Sequence, residues 1–368
     1  MLAAIPVDRY FAFRAESFVR VLQRSVMSPP RIRNMEEFAS VSGISRPTIS
    51  KYFNDPDSVR ASTRARIEEA LERYDYRPNI YAINQNRRLT KNIGVVVPYL
   101  ADPFFAEIAR NIEQRCIAAG FSPTLFSAHG QPDLERDILD TLRSLKPAGV
   151  LFAPLGRSSD RGAIEKFSRD IPTVLFDSNI EGVGEAFIGS NNFQSVPMMV
   201  DYLCRTGEAP CFFEMTPLNP NANKRHNAYV EAMEQRGLAP NVVRVEGDSW
   251  NFEDIGFAEG KKAFEQKRFN SDTIFCSNDR LAIGLLAAAY EKGYRVGNGA
   301  GCAVRIAGHD DHPFSRFTSP TLTTVAQDYA SIAQTSVETL FKLIESGERA
   351  SERRETVYEG KLVLRASA

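Results

Sequence analysis

A small all-α unit followed by two doubly wound parallel sheets is the α/β architecture this sequence predicts, and three observations predict it. Three short capped helical segments crowd into residues 34–76, enough for a satellite domain and no more. Beyond Ile93, short β-rich apolar runs alternate with amphipathic helical stretches, the pattern of parallel strands joined by right-handed crossovers. Eight such runs are legible, which points to two sheets rather than one.

Asn34-Met-Glu-Glu37 places a capping residue with a Glu three positions on. Met35, Phe38, Ala39 and Val41 then form the apolar stripe of a first helix, which Gly43 ends. Ser45 caps a second segment, 46–53, with Pro47 in its first turn, where the missing N–H costs nothing. Asn54-Asp-Pro-Asp57 reads as a loop, and Ser62 as the cap of a third helix lining up Ile67, Ala70, Leu71 and Tyr74. Two helices across a short Gly turn, the second opening on small polar and basic residues, make a helix-turn-helix. Its second helix can set its N-terminal residues against base edges in a major groove. Any small three-helix unit shares this spacing, so the spacing alone leaves both readings open.

In the larger part, residues 93–98, 122–126, 149–153 and 173–176 read as buried strands separated by helices over 103–119, 131–145 and 160–169. The logic repeats with strands at 211–215, 242–245, 273–276 and 304–307 and helices near 221–236, 252–267 and 279–292. Residues 1–30 stand apart: a loose amphipathic stretch stopped by Met27-Ser-Pro-Pro30. They read as a disordered extension or a start assigned too early, with a functional arm as the alternative.

At 368 residues, two or three domains of ~150 residues fit. The apolar share of 43% and charged share of 25% are those of a globular chain. No run reaches the ~18 apolar residues of a membrane span, and the N-terminus has no secretory signal. The net charge of −1 hides a split: residues 27–92 carry 12 Lys/Arg against 8 Asp/Glu, and the chain beyond carries 29 against 36. A basic module on an acidic body fits a polyanion reader joined to a carrier with another task. The five cysteines are scattered, without a C-x-x-C pair, as in a reducing, cytoplasmic setting.

Catalytic signals are thin. His309-Asp-Asp-His312 carries metal-ligand chemistry, but four consecutive ligands on an extended loop cannot face one ion, so no metal site is expected. There is no G-x-S-x-G elbow, and the cysteines have no evident histidine partner, so no enzyme and no cofactor are expected. Polar groups at strand ends are the better signals, because ligands of open α/β sheets bind beyond the carboxyl ends of strands. Asp279 follows a strand and can accept two hydrogen bonds from vicinal hydroxyls, or serve as a helix cap. Arg225 occupies an equivalent position after another strand, and Trp250, the single tryptophan, sits in a strand-end loop where it can stack on a sugar face or fill core.

These pieces carry a resemblance. Phe38-Ala-Ser-Val-Ser-Gly-Ile-Ser45, Thr48-Ile-Ser50, Tyr76-Arg-Pro-Asn79, Cys276-Ser-Asn-Asp279-Arg-Leu-Ala-Ile-Gly284, Ile306-Ala-Gly-His-Asp-Asp311 and Pro320-Thr-Leu-Thr-Thr324 stand in one order. In that order they resemble the LacI/GalR family of bacterial transcription repressors over residues 31–366. The resemblance implies a helix-turn-helix headpiece (31–78), a hinge helix and linker (79–91), and a core like type I periplasmic sugar-binding proteins. In that core it implies an N-subdomain of 92–207 and 326–347 and a C-subdomain of 208–325 and 348–368.

The implied DNA contacts are Ser45, Arg46, Pro47, Thr48, Ser50, Lys51, Asn54, Asn79, Ala82 and Gln85, with Phe104, Arg225, Trp250, Asp279 and Gln327 around the effector. The implied function is a DNA-binding regulator, a repressor of carbohydrate-related genes. It would read a pseudo-palindromic operator as a homodimer and answer to a sugar or sugar alcohol; a plain sugar-binding protein or a purine-type co-repressor-dependent regulator is the alternative. The dimer expectation follows from the chain stopping soon after its last strand, without a leucine-heptad tail. Three departures stand out: Arg46-Pro47 at the head of the recognition helix, Gln85 where the family has a hinge leucine, and His309 where it has Tyr or Phe.

Overall fold

The computed structural model describes residues 32–79, 90–215, 218–247, 249–347 and 352–368. The chain divides between Thr90 and Lys91 into two compact units. Residues 1–30, Ala82 and Gln85 lie outside the described residues.

The first unit holds helices α1 (Met35–Ser42), α2 (Arg46–Asn54) and α3 (Ala61–Tyr74), with a 3-10 turn at Pro56–Ser58. Asn34 caps α1 by accepting from the Glu37 N–H, and Glu37 in turn accepts from the Arg33 N–H at 2.8 Å. Gly43 closes α1 at φ +65°, a conformation only glycine adopts without strain. Ser45 caps α2, with Pro47 in the first turn. The third cap falls elsewhere than the sequence suggests. Arg60 precedes α3 without a side-chain cap, and Ser62 lies inside the helix. Phe38, Ile44, Ile49, Ile67, Ala70 and Tyr76 form the core, with Phe38 stacked on Tyr76 at 4.5 Å.

The second unit contains two parallel sheets. The first is built from β1 (Asn92–Val97), β2 (Ser122–Ser127), β3 (Gly149–Phe152), β4 (Thr173–Phe176), β5 (Ala186–Ser190) and β11 (Arg354–Tyr358), in the order β11-β5-β4-β3-β1-β2. The second consists of β6 (Cys211–Met215), β7 (Val242–Val245), β8 (Thr273–Cys276) and β9 (Arg305–Ala307), in the order β7-β6-β8-β9. A short antiparallel pair, β10 (Thr324–Ala326) and β12 (Lys361–Val363), adjoins it through a bridge between Ala307 and Thr323. The strands are near-continuous apolar runs, as expected when helices cover both faces. The helices are α4 (Pro103–Ala118), α5 (Pro132–Leu145), α6 (Arg161–Asp170), α7 (Asn192–Thr206), α8 (Pro220–Glu234), α9 (Phe252–Glu265), α10 (Asp279–Glu291) and α11 (Tyr329–Ser346). Among the described residues no helix is long and apolar enough to cross a membrane.

Two expected subdomain limits are corrected. Helix α7 was placed with the N-terminal lobe, yet Val196, Met199, Val200 and Leu203 pack against Phe212, Ala228 and Tyr229 of the second lobe. Residues 348–368 were assigned wholly to the second lobe, but β11 pairs in parallel with β5 of the first sheet and only β12 joins the second. The chain therefore crosses between lobes near residues 191, 327 and 359. These crossings are laced together. Asn191 N–H donates to Tyr358 O at 2.8 Å, Gly360 N–H to Gln194 Oε1 at 2.9 Å, and Ser190 Oγ to Gln327 Oε1. Gly360 has to be small here, since a Cβ would stand 2.7 Å from Val325 Cγ1 and 2.9 Å from Ser195 Cβ.

Candidate functional site

In the first unit, the fully buried Ile49 anchors α2 and turns its opposite face outward. Ser45 Oγ lies 2.7 Å from Thr48 Oγ1 and accepts from the Thr48 N–H, so these two hydroxyls fix the helix start. Arg46, Pro47, Lys51, Asn54 and Asn79 are exposed, while Thr48 and Ser50 are half-buried. Arg46 Nε stands 3.6 Å from Glu36, but with both side chains more than half exposed such a pair contributes about 0–1 kcal/mol at most. The guanidinium is therefore free to exchange that partner for a base edge or phosphate.

In the second unit, a narrow crevice of about 70 Å3, partly open to solvent, runs between the lobes. Its wall is assembled from the carboxyl ends of parallel strands, as the topology requires. From the first lobe come Asp102, which caps α4 beyond β1, and Asp177, which directly follows β4. From the second come Arg225 of α8, Trp250, Arg280 of α10 and Asp310 beyond β9. Phe104, Phe252 and Gln327 also line it. Of the residues expected around the effector, Phe104, Arg225, Trp250 and Gln327 are thus brought together here.

Asp279 is not. It is fully buried, and its carboxylate is taken up behind the crevice. Oδ1 accepts from Thr324 Oγ1 at 2.6 Å, and Oδ2 from Ser315 Oγ at 2.7 Å and the His312 N–H at 2.8 Å. Burial pushes its pKa up to about 7 despite these donors. Asp279 holds the loop 309–324 rather than offering itself to a ligand, and the cap of α10 is its neighbour Asn278. The sequence could not separate these roles, because both place a carboxylate at the end of β8.

That loop carries the next polar layer. Asp310 Oδ1 accepts from Arg225 Nη2 and Gln327 Nε2, each at 2.6 Å, and from His309 Nδ1 at 3.1 Å. Burial works to raise the Asp310 pKa, but Arg225 and His309 outweigh it and hold the carboxyl below its usual range. Burial, reinforced by Arg225, lowers His309 to about 4, so the His309–Asp310 contact is a neutral imidazole donating to a carboxylate and not an ion pair. Nδ1 then donates to Asp310, and Nε2 accepts from Ser195 Oγ at 2.9 Å. His309 thus spends both ring nitrogens on protein contacts, whereas His312 uses only Nδ1, which accepts from the Phe314 N–H at 3.1 Å, and its Nε2 is buried without a partner. Arg225 also donates to Asn192 Oδ1 at 3.0 Å and to Ser277 O at 2.7 Å.

Several contacts bridge the lobes across the crevice. Arg280 Nη1 meets Asp102 Oδ2 at 3.2 Å while its other nitrogens hold Glu253 at 2.8 and 2.7 Å. Asn221 Nδ2 donates to Asp177 at both the backbone O (3.1 Å) and Oδ1 (3.0 Å). Trp250 stacks on Tyr99 at 5.7 Å and lies against Gly130, where a Cβ would come within 2.4 Å of the indole. Asp102, Asp177, Asn221 and Arg280 were missed from the sequence. Their signal was weak but present: each stands within a few residues of a strand or helix terminus.

Residues 34–79 match the family model described as bacterial regulatory proteins, lacI family, and residues 209–368 match a periplasmic binding protein-like domain. The chain carries a helix-turn-helix domain of the lacI family of bacterial regulatory proteins. It is a DNA-binding transcriptional regulator with a periplasmic-binding-protein-like core. The HTH-type transcriptional repressor PurR of Pasteurella multocida (strain Pm70) is 27% identical over 340 residues, covering 90% of this chain and 98% of the relative. The NTD biosynthesis operon regulator NtdR of Bacillus subtilis (strain 168) is 26% identical over 336 residues, covering 90% and 99%. In fold, the regulator is similar to the lac repressor dimer bound to operator and the anti-inducer ONPF, with a TM-score of 0.78 at 23% identity, covering 91% of this chain and 98% of that one. It is also similar in fold to a transcriptional regulator CelR–cellobiose complex, with a TM-score of 0.65 at 20% identity, covering 92% and 100%.

Proposed function

We propose that the regulator is a homodimeric repressor of carbohydrate-related genes whose grip on a pseudo-palindromic operator is set by a polyhydroxylated effector in the crevice. The observation that carries the effector reading is the alternation on the wall. The aromatic side chains of Phe104, Trp250 and Phe252 line it together with Asp102, Asp177, Arg225 and Gln327. A sugar or sugar alcohol presents the complementary pattern of apolar C–H faces and hydroxyl edges. The operator contacts proposed are Arg46 and Lys51 at the head and side of α2, with Ser45, Pro47, Thr48, Ser50 and Asn54 around them and Asn79, Ala82 and Gln85 beyond α3. Because the wall residues come from both lobes, a bound ligand favours one lobe arrangement and so biases the regulator between two states.

The reading is tested by fluorescence anisotropy of a labelled operator duplex with the full chain, titrated with sugars, sugar alcohols, hypoxanthine and guanine. A polyol that shifts operator affinity at least fivefold in the wild type and leaves an Arg225→Met variant unmoved supports it. A shift produced by a purine alone would replace the polyol with a purine co-repressor.

A further inference from the structure

The charged groups on the crevice wall are unequally used. Every nitrogen of both guanidinium groups already donates: Arg225 to Asn192, Ser277 and Asp310, and Arg280 to Glu253 and Asp102. Asp310 takes Arg225, Gln327 and His309 on its Oδ1 and has its charge paired by Arg225. Asp102 is tied to Arg280 through Oδ2 and to the Phe104 N–H through Oδ1. Asp177 differs. The residue is 4% exposed, and among the described residues it forms no ion pair. Oδ1 accepts only the Asn221 amide, and Oδ2 only a long 3.4 Å contact from Ser178 Oγ. Burial pushes its pKa up to about 7, against the opposing pull of Arg225.

The charge balance points the same way. Five carboxyl groups (Asp102, Asp177, Asp279, Asp310, Glu253) gather on or just behind this wall against two guanidinium groups, and His309 is neutral. A buried carboxylate without a cation is costly, and a ligand hydroxyl would supply a hydrogen bond while leaving that charge uncompensated. A protonated amine supplies both.

We infer that the effector carries a protonated amine seated against Asp177, which makes it an amino sugar or an aminated polyol rather than a neutral one. The inference rests on the polyol reading and narrows it: the hydroxyls and ring face meet Trp250 and Phe104, and the ammonium meets Asp177.

The test uses the full chain and matched probes: glucosamine, galactosamine and mannosamine, each against its parent hexose and its N-acetyl derivative. The N-acetyl form keeps the bulk and removes the charge. Affinity is read from the emission of Trp250, the single tryptophan, and from thermal shift. At least one amine is expected to bind ten times or more tighter than its hexose, with the N-acetyl form no better than the hexose. Asp177→Asn, an isosteric change whose folding is checked by its own melting curve, should bring the amine-to-hexose ratio to about one. No amine exceeding its hexose, or an advantage that survives Asp177→Asn, overturns the inference. Hexoses binding better than amines would sink it while sparing the polyol reading, whereas binding by hypoxanthine or guanine alone would sink both.

Discussion

Replacing Asp279 by Ala should damage the fold far more than it damages any direct ligand contact. The carboxylate is fully buried and receives three donors: the His312 N–H and the hydroxyls of Ser315 and Thr324. Truncation leaves all three buried and unpaired, at about 1–3 kcal/mol each, while relieving the desolvation of a buried charge that opposes them. The net loss should be about 2–4 kcal/mol, or a fall in Tm of roughly 3–7 °C at the usual scaling for a unit of this size. The assay is thermal unfolding of the full chain followed by circular dichroism, wild type against variant, without ligand. Because the three donors span the loop that carries Asp310, ligand affinity should weaken only as a consequence of that loop loosening. A variant that melts within a degree of wild type yet binds no ligand would refute this reasoning and return Asp279 to the crevice.

Other consequences follow from the same geometry. The Asp177 carboxyl is raised in the folded state to about 7, so the native form holds its proton more tightly than the unfolded chain does. Its contribution is present at low pH and lost as pH rises from the ordinary carboxylate range through 7. With Arg225, Asp310 and Asp102 facing it unchanged, Asp177→Asn should gain in Tm relative to wild type between pH 5 and pH 8; a constant difference would contradict the assignment. Asp102→Asn preserves the cap of α4 but removes the charge facing Arg280, so acrylamide should quench Trp250 more readily. Unchanged quenching would show that this ion pair does not hold the lobes together. On DNA, Arg46→Ala should cost about 1–3 kcal/mol in discrimination between operator variants, and Lys51→Ala should weaken all duplexes alike and flatten the salt slope by about one unit. Equal losses on specific and random DNA for Arg46 would rule out base readout.

Much of this was legible before the structure. The two caps at Asn34 and Ser45 are local chemistry, and the strands over 173–176, 211–215, 242–245 and 273–276 agree with the structure because each is a short run dominated by apolar, β-forming residues, broken only by Glu214 and by the exposed Arg244. The failures are non-local. Helix α7 carries Pro197 in its interior, which masks its helical pattern, and β5 includes Gly189. The final stretch reads as one strand around 356–364, but Gly360 divides it between two lobes, and nothing local reveals which sheet each half joins. In the crevice, Arg225 and Trp250 were legible from their place after strands. Asp177 was not, because one carboxylate beyond a short strand carries no periodic signal. Asp279 was misassigned because burial behind the crevice and exposure within it differ by the direction of a side chain, which sequence does not encode.

The most direct test of the account as a whole is selection of duplexes by the full-length regulator from a random-sequence pool. The account predicts enrichment of one motif with two inverted half-sites whose centres lie about one helical turn apart, the spacing set by two copies of α2 in successive major grooves. Arg46→Ala should blur the bases nearest each half-site centre while preserving that spacing. Recovery of no common motif, or of a single unrepeated half-site, would contradict it.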